Sequence, residues 1–177
     1  MIDYPPGQTP TFWDPYPSVA NHRFALGRAT QGARTHAPLV AIGMNPSYAD
    51  EHRSDKTINR IIEASVDHGY SGWVMLNLYP ERQTLPGNLA EFDHNLSIAN
   101  CAAIERVLVK YRVTEVLGAW GNPSSTIRKA KVDVRAVLAK LGVRIFHLDN
   151  LTDAGEPRHP TPRTGRLEMS GPKRYLT

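Results

Sequence analysis

An apolar run that leads directly into a polar turn decides the fold: Pro38-Leu39-Val40-Ala41-Ile42-Gly43-Met44-Asn45-Pro46-Ser47. A short continuous apolar run of this kind is typical of a strand that is buried on both faces of a sheet. Asn45 favours a turn through local hydrogen bonds, and Pro46 stiffens the backbone after it. In open α/β sheets, ligands bind beyond the carboxyl ends of the strands. The stretch therefore predicts a central strand and one wall of a ligand site.

An alternation of strands and helices continues downstream of this stretch. Apolar runs predict strands over residues 39–44, 73–78, 113–119 and 143–148, and helical periodicity predicts helices over residues 54–68, 93–111 and 124–141. The predicted helix caps are Ser54, Asp93 and either Ser124 or Ser125. Strands that alternate with helices imply a parallel sheet covered on both faces. We therefore expect a three-layer α/β/α fold with a four-stranded parallel sheet.

The expected domain boundaries follow the composition of the chain. Residues 1–22 are rich in Pro and aromatic residues, which predicts an ordered arm that packs on the body without regular structure. Residues 23–162 are expected to form a single α/β domain, which opens with a short edge strand over residues 23–29. Residues 163–177 then form a basic C-terminal tail.

The composition is that of an ordinary soluble protein. The chain has 177 residues, of which 41% are hydrophobic and 21% are charged. No apolar run reaches the roughly 18 residues that a membrane span needs, and the first residues lack the pattern of a secretory signal. The single cysteine, Cys101, allows no internal disulfide, and its helical surroundings predict a small buried residue. We expect a cytoplasmic protein without a membrane partner, and a monomer is favoured.

Positive charge is concentrated in two parts of the sequence. The net charge is +4, and the predicted third helix and the tail carry most of the excess. A basic face attracts polyanions such as nucleic acid, although a solvated helix face produces the same pattern. If nucleic acid binds, we expect contacts to its phosphate backbone from Arg128, Lys129, Lys131 and Arg163.

Two further polar positions fit a site at the carboxyl ends of the strands. Asn77 ends the second predicted strand, as Asn45 follows the first, although turn preference alone also favours Asn there. His159 lies between two prolines, which restrict its backbone. A fixed imidazole can donate to a developing negative charge or accept a proton. The alternative for His159 is an incidental position in a surface loop.

These motifs together resemble an uncharacterised bacterial and phage family that is known only as a domain of unknown function. The resemblance covers roughly residues 23–162 and implies no activity. The matching residues are Met44, Asn45-Pro46-Ser47-Tyr48-Ala49-Asp50, Asp55-Lys56-Thr57-Ile58, Asn77-Leu78-Tyr79-Pro80-Glu81-Arg82, Trp120-Gly121 and Pro157-Arg158-His159-Pro160.

A second resemblance implies a chemistry. Gly43-Met44-Asn45-Pro46-Ser47, Asn77 and His159-Pro160-Thr161-Pro162 resemble motifs of the uracil-DNA glycosylase superfamily. The resemblance implies a uracil-DNA-glycosylase-like fold and a pocket that takes a flipped-out base. It implies that Asn45 positions a water, that Asn77 reads the base edge, and that His159 stabilises charge on the leaving base. The expected substrate-binding residues are Gly43, Met44, Pro46, Ser47, Tyr48, Asn77, Arg82, Trp120 and Arg158.

Several alternatives stay open at this point. Asn45 cannot accept a proton, so a general base has to come from elsewhere, and Asp50 and Asp55 are the nearby carboxylates. Arg82 binds a phosphate or pairs with Glu81, and Trp120 is a packing or a pocket residue. No cofactor or metal is expected, because Asp50, His52 and Asp55 are more typical of a polar loop with a helix cap than of a metal site.

The sequence therefore predicts an N-glycosylase-like hydrolase that acts on a nucleobase in DNA or in a nucleotide. The alternative is a non-catalytic module that binds nucleic acid or a nucleotide in the same kind of pocket. A third possibility is a small-molecule enzyme of another class. Salt dependence of binding would separate the third possibility from the first two, because phosphate contacts make binding sensitive to salt.

Overall fold

A computed structural model of the chain describes residues 2–16, 19, 21–29 and 37–177. Of the expected N-terminal arm, residues 1, 17, 18 and 20 lie outside this part. Among the described residues, the strands are β1 (Phe12–Asp14), β2 (Ala25–Arg28), β3 (Leu39–Gly43), β4 (Trp73–Asn77), β5 (Glu115–Ala119), β6 (Arg144–His147) and β7 (Arg174–Tyr175). The helices are α1 (Lys56–Asp67), α2 (His94–Lys110) and α3 (Ser125–Lys140), with a short 3-10 helix at Pro86–Asn88.

The seven strands form one mixed sheet in the order β1-β2-β4-β3-β5-β6-β7. The expectation of a four-stranded parallel sheet with a uracil-DNA-glycosylase-like fold is therefore wrong. The inner strands β4, β3, β5 and β6 are parallel, but β1, β2 and β7 join the sheet through antiparallel pairs.

The strands β1 and β7 escaped prediction because they are too short to produce a sequence pattern. Strand β1 has three residues and β7 has two, so neither shows the alternation that identifies a half-buried strand. Their pairing depends on neighbouring strands and on side-chain contacts, not on local preference. Strand β2 lies in the expected edge segment over residues 23–29, but it pairs with β4 on one side and with β1 on the other.

Apolar residues cover both faces of the sheet. All residues of β3 and β4 are buried, as their continuous apolar sequences require. One core cluster joins the sheet to α1 through Ile58, Ile61 and Ile62. The other joins the sheet to α2 and α3 through residues such as Ile104 and Val134.

The start of α1 differs from the prediction in a way that affects the site. The N-cap is Asp55, whose Oδ1 accepts a hydrogen bond of 2.8 Å from the Ile58 amide. The predicted cap, Ser54, donates instead to Asn59 Oδ1 at 2.6 Å. The capping carboxylate of Asp55 is thereby held at the edge of the sheet where β3 and β4 end.

Candidate functional site

A cavity of about 240 Å³ lies at the carboxyl ends of β3 and β4, beside the N-terminus of α1. Met44, Ile58 and Met75 form its apolar walls. Its main polar lining residues are Arg23, Asn45, Asp55, Asn77 and His159. The volume falls below the ~300–1,000 Å³ that is common for drug-sized ligands, which indicates a small ligand.

Asn77 is the most unusual residue of this cavity. It is the last residue of β4, is fully buried, and lies opposite Gly43 of β3 in the parallel register. Its backbone carbonyl accepts a hydrogen bond of 2.9 Å from Asn100 Nδ2. Neither Oδ1 nor Nδ2 of its side chain has a hydrogen-bond partner in the described part of the chain. An amide in that state is available to a ligand that offers one donor and one acceptor.

Gly43 makes room for the terminal methyl of Met75 beside this amide. A β carbon at position 43 would lie 3.1 Å from Asn77 Oδ1 and would overlap the terminal methyl of Met75. Gly43 does not itself line the cavity, but its lack of a side chain lets Met75, which does line the cavity, pack next to Asn77. The expectation that Gly43 binds substrate stays a prediction, and the structure places this glycine next to the cavity lining and not in it.

Asn45 lines the cavity and also anchors a loop. Its Nδ2 donates to the carbonyl of Gln83 at 2.7 Å, with longer contacts to the carbonyls of Pro46 at 3.1 Å and Glu81 at 3.4 Å. These bonds tie the turn after β3 to the loop after β4. Because Nδ2 is held in this way, the orientation of the amide is fixed and Oδ1 points in the opposite direction.

His159 reaches the same cavity from the C-terminal segment. Its Nδ1 lies 3.2 Å from the Thr161 amide, 3.1 Å from Thr161 Oγ1 and 3.3 Å from the Thr161 carbonyl. When Nδ1 accepts from the amide, the neutral ring carries its proton on Nε2. Burial lowers the pKa of His159, which favours the neutral form. Gly121, with φ of 66°, allows the close approach of His159, since a β carbon there would lie 3.3 Å from His159 Cβ.

The structure selects one of the two candidate carboxylates. Asp55 is buried and lines the cavity. Asp50 is held in its own loop, where Oδ1 accepts from the amides of His52 at 2.9 Å and Arg53 at 2.8 Å. Asp55 is therefore the carboxylate that shares the cavity with Asn45 and His159.

Arg23 is a cavity residue that the sequence analysis did not identify. Its side chain is buried, with 3% of the residue exposed, and Nη1 donates to the Ala49 carbonyl at 2.6 Å. Its Nε has no partner among the residues described here. Burial, followed by the charge of Arg82, lowers the pKa of Arg23 to about 10. The signal in the sequence is an arginine at the head of an expected strand, directly before Phe24, Ala25 and Leu26.

Of the remaining predicted substrate-binding residues, two line the cavity and the others do not. Met44 and Ser47 line the cavity, whereas Pro46 is buried next to it and accepts from the Gln83 amide at 2.8 Å. Tyr48 is 43% exposed and lies outside the cavity lining. Arg82 does not line the cavity, but its Nε is buried and lacks a partner within the described residues.

Trp120 and Arg158 lie apart from this cavity. Trp120 is fully buried and donates its Nε1–H to Glu156 at 2.7 Å, beside a different cavity. Arg158 donates through Nε to the Asn150 carbonyl at 3.0 Å, next to His147 and Asp149. Neither residue is brought together with Asn45, Asn77 and His159.

The basic residues proposed to contact a phosphate backbone are partly engaged within the protein. Lys131 forms an ion pair with Glu156, and Lys129 lies 5.8 Å from the centre of the Phe92 ring. Arg128 donates to the Pro123 carbonyl at 3.2 Å, whereas Arg163 is exposed. The face of α3 therefore carries less free positive charge than its sequence suggests.

The structure also bears on metal ligands, on the cysteine and on membrane crossing. The part of the chain that the structure describes contains no group of three His, Cys, Asp or Glu residues placed to hold a metal ion. Burial raises the pKa of the Cys101 thiol to about 11, which keeps it protonated and unreactive at neutral pH. Within the same described ranges, every helix is too short or too polar to cross a bilayer.

The geometry thus defines an α/β protein with a small, partly polar cavity at the carboxyl edge of a mixed sheet. The chain belongs to the family described as "Protein of unknown function (DUF1643)", whose match spans residues 23–161. The match contains every residue that lines this cavity. No curated protein and no solved structure matches the chain significantly.

Proposed function

We propose that the cavity binds a nucleobase and that the chain hydrolyses the N-glycosidic bond that attaches the base to its sugar. The buried side-chain amide of Asn77 carries this proposal. A buried polar group without a partner costs about 1–3 kcal/mol, so its retention suggests a ligand that completes its hydrogen bonds. The edge of a pyrimidine or purine that presents an N–H beside a carbonyl would bond to both atoms of the amide.

The other cavity residues supply the parts of a hydrolysis. Asp55 accepts a proton from a water, whose oxygen attacks the C1′ atom of the sugar. The bond between C1′ and the base nitrogen breaks, and its electron pair stays on the base. His159 donates a hydrogen bond from Nε2 to this developing anion. The proton that Asp55 took from water is then released to solvent, and solvent protonates the base, which leaves Asp55 ionised and the base neutral. The products are a free base and a sugar with a hydroxyl at C1′.

Asn45 is suited to orient the attacking water. Its Nδ2 is fixed by the Gln83 carbonyl, so its Oδ1 has a defined direction from which to accept a hydrogen bond from water. An amide oxygen cannot take up the proton, which makes the nearby carboxylate of Asp55 necessary for the reaction. DNA and a free nucleotide are both possible carriers of the base in this proposal.

The second candidate is a non-catalytic module that binds a nucleobase in DNA or in a nucleotide. Two observations favour it: the amide nitrogen of Asn45 is committed to backbone carbonyls, and the described cavity lining includes no aromatic ring except that of His159. Met44, Met75 and Ile58 would then contact the base through dispersion and sulfur–aromatic contacts. This candidate predicts binding without turnover.

An assay of base release separates the two candidates. The full chain is incubated with nucleosides, 5′-mononucleotides and single-stranded oligonucleotides that carry normal or deaminated bases, and free base is measured by chromatography. Asp55→Asn is the decisive variant, because Asn caps a helix about as well as Asp and the fold should persist. We expect Asp55→Asn to bind the base but to release it at least about 100-fold more slowly.

Asp50→Asn is the matched control, since Asp50 lies in the neighbouring loop and outside the cavity. It should leave base release unchanged. Binding without release by the unaltered chain, over the whole panel, would reject the hydrolase and support the binding module. Absence of both binding and release would reject the nucleobase pocket itself.

A further inference from the structure

Two arginines, Arg23 and Arg82, lie on paired segments at one side of the cavity, and the carboxylates of Asp55 and Asp50 offset the charge of Arg23 only in part. Arg23 lines the cavity, and Arg82 acts on it electrostatically from the loop after β4. In the part of the structure that is described, neither residue forms an ion pair, and Nε of each is buried without a partner. Arg82 repels Arg23 more strongly than Asp55 attracts it.

The backbone holds these two arginines next to each other. His22 and Glu81 form an antiparallel bridge. The Arg23 amide donates to the Pro80 carbonyl at 2.9 Å, and the Arg82 amide donates to the Asn21 carbonyl at 2.8 Å. Their proximity is therefore built into the pairing of two segments and does not depend on flexible side chains alone.

Local hydrogen bonds do not account for this arrangement. Arg23 makes its bond to Ala49 with one nitrogen, whereas a guanidinium has five N–H donors. Arg82 does not pair with the neighbouring Glu81, whose carboxylate accepts instead from the Ala90 amide at 3.2 Å. Buried charge that is compensated only in part is costly, and a bound anion would relieve both the desolvation of Arg23 and its repulsion by Arg82.

We propose that Arg23, supported by the charge of Arg82, is the subsite for a terminal phosphate, so that the ligand of this cavity is a free nucleoside monophosphate. The proposal rests on the nucleobase pocket described above and specifies its substrate class. A phosphate dianion matches two guanidinium charges, and arginine favours phosphate because its planar fork fits two oxygens.

The depth of Arg23 favours a terminal phosphate over a phosphate within a polymer. Only 3% of Arg23 is exposed, and the ligand has to reach it through the cavity. A phosphodiester continues into sugar on both sides and stays near the protein surface, whereas a terminal phosphate can enter a small cavity. The hydroxyls of Ser47, Thr57 and Thr84 line the same cavity and are suited to bind further phosphate oxygens.

Calorimetric titration of the full chain tests this subsite. The probes are the 5′-monophosphate and the nucleoside of each common base, inorganic phosphate alone, and a short single-stranded oligonucleotide without a terminal phosphate. We expect a monophosphate to bind about 10- to 100-fold more tightly than its nucleoside. Arg23→Met should remove this difference and leave the affinity for the nucleoside within about twofold.

Two further variants make the result specific. Arg82→Gln should reduce the preference for the monophosphate only in part, and it serves as the second test if Arg23→Met does not fold. Arg135→Gln on α3 removes an exposed arginine of the same charge and should change neither affinity. Asn77→Leu should weaken the binding of nucleoside and monophosphate alike, which separates base recognition from phosphate recognition.

The outcomes divide the two proposals. Equal affinity for monophosphate and nucleoside would overturn the phosphate subsite and leave the base pocket in place. Tighter, Arg23-dependent binding of the oligonucleotide would also overturn it, because polymer phosphates would then be the ligand. Arg23-dependent binding of inorganic phosphate without any nucleoside binding would support the anion subsite while rejecting the nucleobase pocket. Absence of binding by every phosphate compound would overturn the subsite.

Discussion

Two polar clusters in this protein differ in whether the protein itself completes their hydrogen bonds. At the start of β5, the Glu115 carboxylate accepts from Tyr70 at 3.1 Å, from Tyr175 at 2.7 Å and from Lys173. At the ends of β3 and β4, the amide of Asn77 and the Nε of Arg23 have no partner among the described residues. The first cluster is a structural network, whereas the second retains polar groups whose partner is expected to be a ligand.

Whether the protein completes the hydrogen bonds of a buried polar cluster separates a structural role from a ligand-binding role. The Glu115 cluster joins the C-terminal segment to the sheet, because Lys173 and Tyr175 flank or belong to β7. Its burial is therefore compensated within the fold. The burial of the Asn77 side-chain amide is not compensated by any described residue, and that of Arg23 is compensated only in part, so both residues lower the stability of the fold. Substitutions in the two clusters should accordingly have opposite effects on stability.

The largest effect is expected from Glu115→Leu. This change removes the acceptor that Lys173, Tyr70 and Tyr175 share and leaves a partly buried ammonium without a counter-charge. We expect the free energy of unfolding to fall by about 3 kcal/mol, as measured by urea denaturation. Ligand binding at the cavity should be unchanged. Glu105→Leu on α2 is the control, because it removes only the exposed pair with Lys140 and should cost at most about 1 kcal/mol.

Asn77→Leu should have the opposite effect on stability. Leu has a similar size and needs no hydrogen bond, so we expect a gain of about 1–2 kcal/mol in the free energy of unfolding. The binding of nucleosides and of monophosphates should weaken alike in calorimetry. Asn100→Leu is an informative control, since Asn100 Nδ2 bonds to the carbonyls of Asn77 and Leu78 and its loss should destabilise the protein. A destabilised Asn77→Leu protein would show that Asn77 belongs to the structural class.

The contrast also explains how much the sequence could predict. Continuous apolar runs in the sequence predict the buried strands β3 and β4, and periodic apolar positions predict the three helices. The polar residues Asn45 and Asn77 were found because they stand at strand ends, and His159 because prolines flank it. These three residues do line one cavity. Arg23 was missed because its role depends on the antiparallel bridge between His22 and Glu81, which no local pattern reveals. Trp120 was expected at the pocket because it follows the third predicted strand, and Arg158 because it belongs to the motif around His159, but neither lines this cavity.

Gly43→Ala tests the cavity with a smaller change. The added methyl overlaps the terminal methyl of Met75, whose flexible side chain can move, so we expect a loss of stability of only about 1 kcal/mol. The same methyl lies 3.1 Å from Asn77 Oδ1 and should hinder any ligand that bonds to this oxygen. Binding should therefore fall at least about tenfold while the protein stays folded. Unchanged affinity in a folded variant would place the ligand away from Asn77.

The smallest effect is expected from acid, and of the two clusters it concerns the one around Glu115. Burial by itself would raise the pKa of Glu115, but hydrogen bonds from Lys173, Tyr175 and Tyr70 and the charge of Lys173 lower it below its usual value of 4.5. Because the pKa is lower in the folded than in the unfolded state, the carboxylate adds stability that is present above pH 4.5 and is lost as the pH falls through the folded pKa.

Urea denaturation between pH 7 and pH 3 measures this contribution. Glu115→Gln should lower stability at pH 7 and flatten its dependence on pH below 4.5, because the group that titrates is gone. Asn77→Leu should shift the whole curve upward without changing its shape, since an amide does not titrate. If both variants altered the acid limb equally, the two clusters would be coupled through the sheet. The distinction between the Glu115 cluster, whose hydrogen bonds the protein completes, and the Asn77 cluster, whose partner is expected to be a ligand, would then fail.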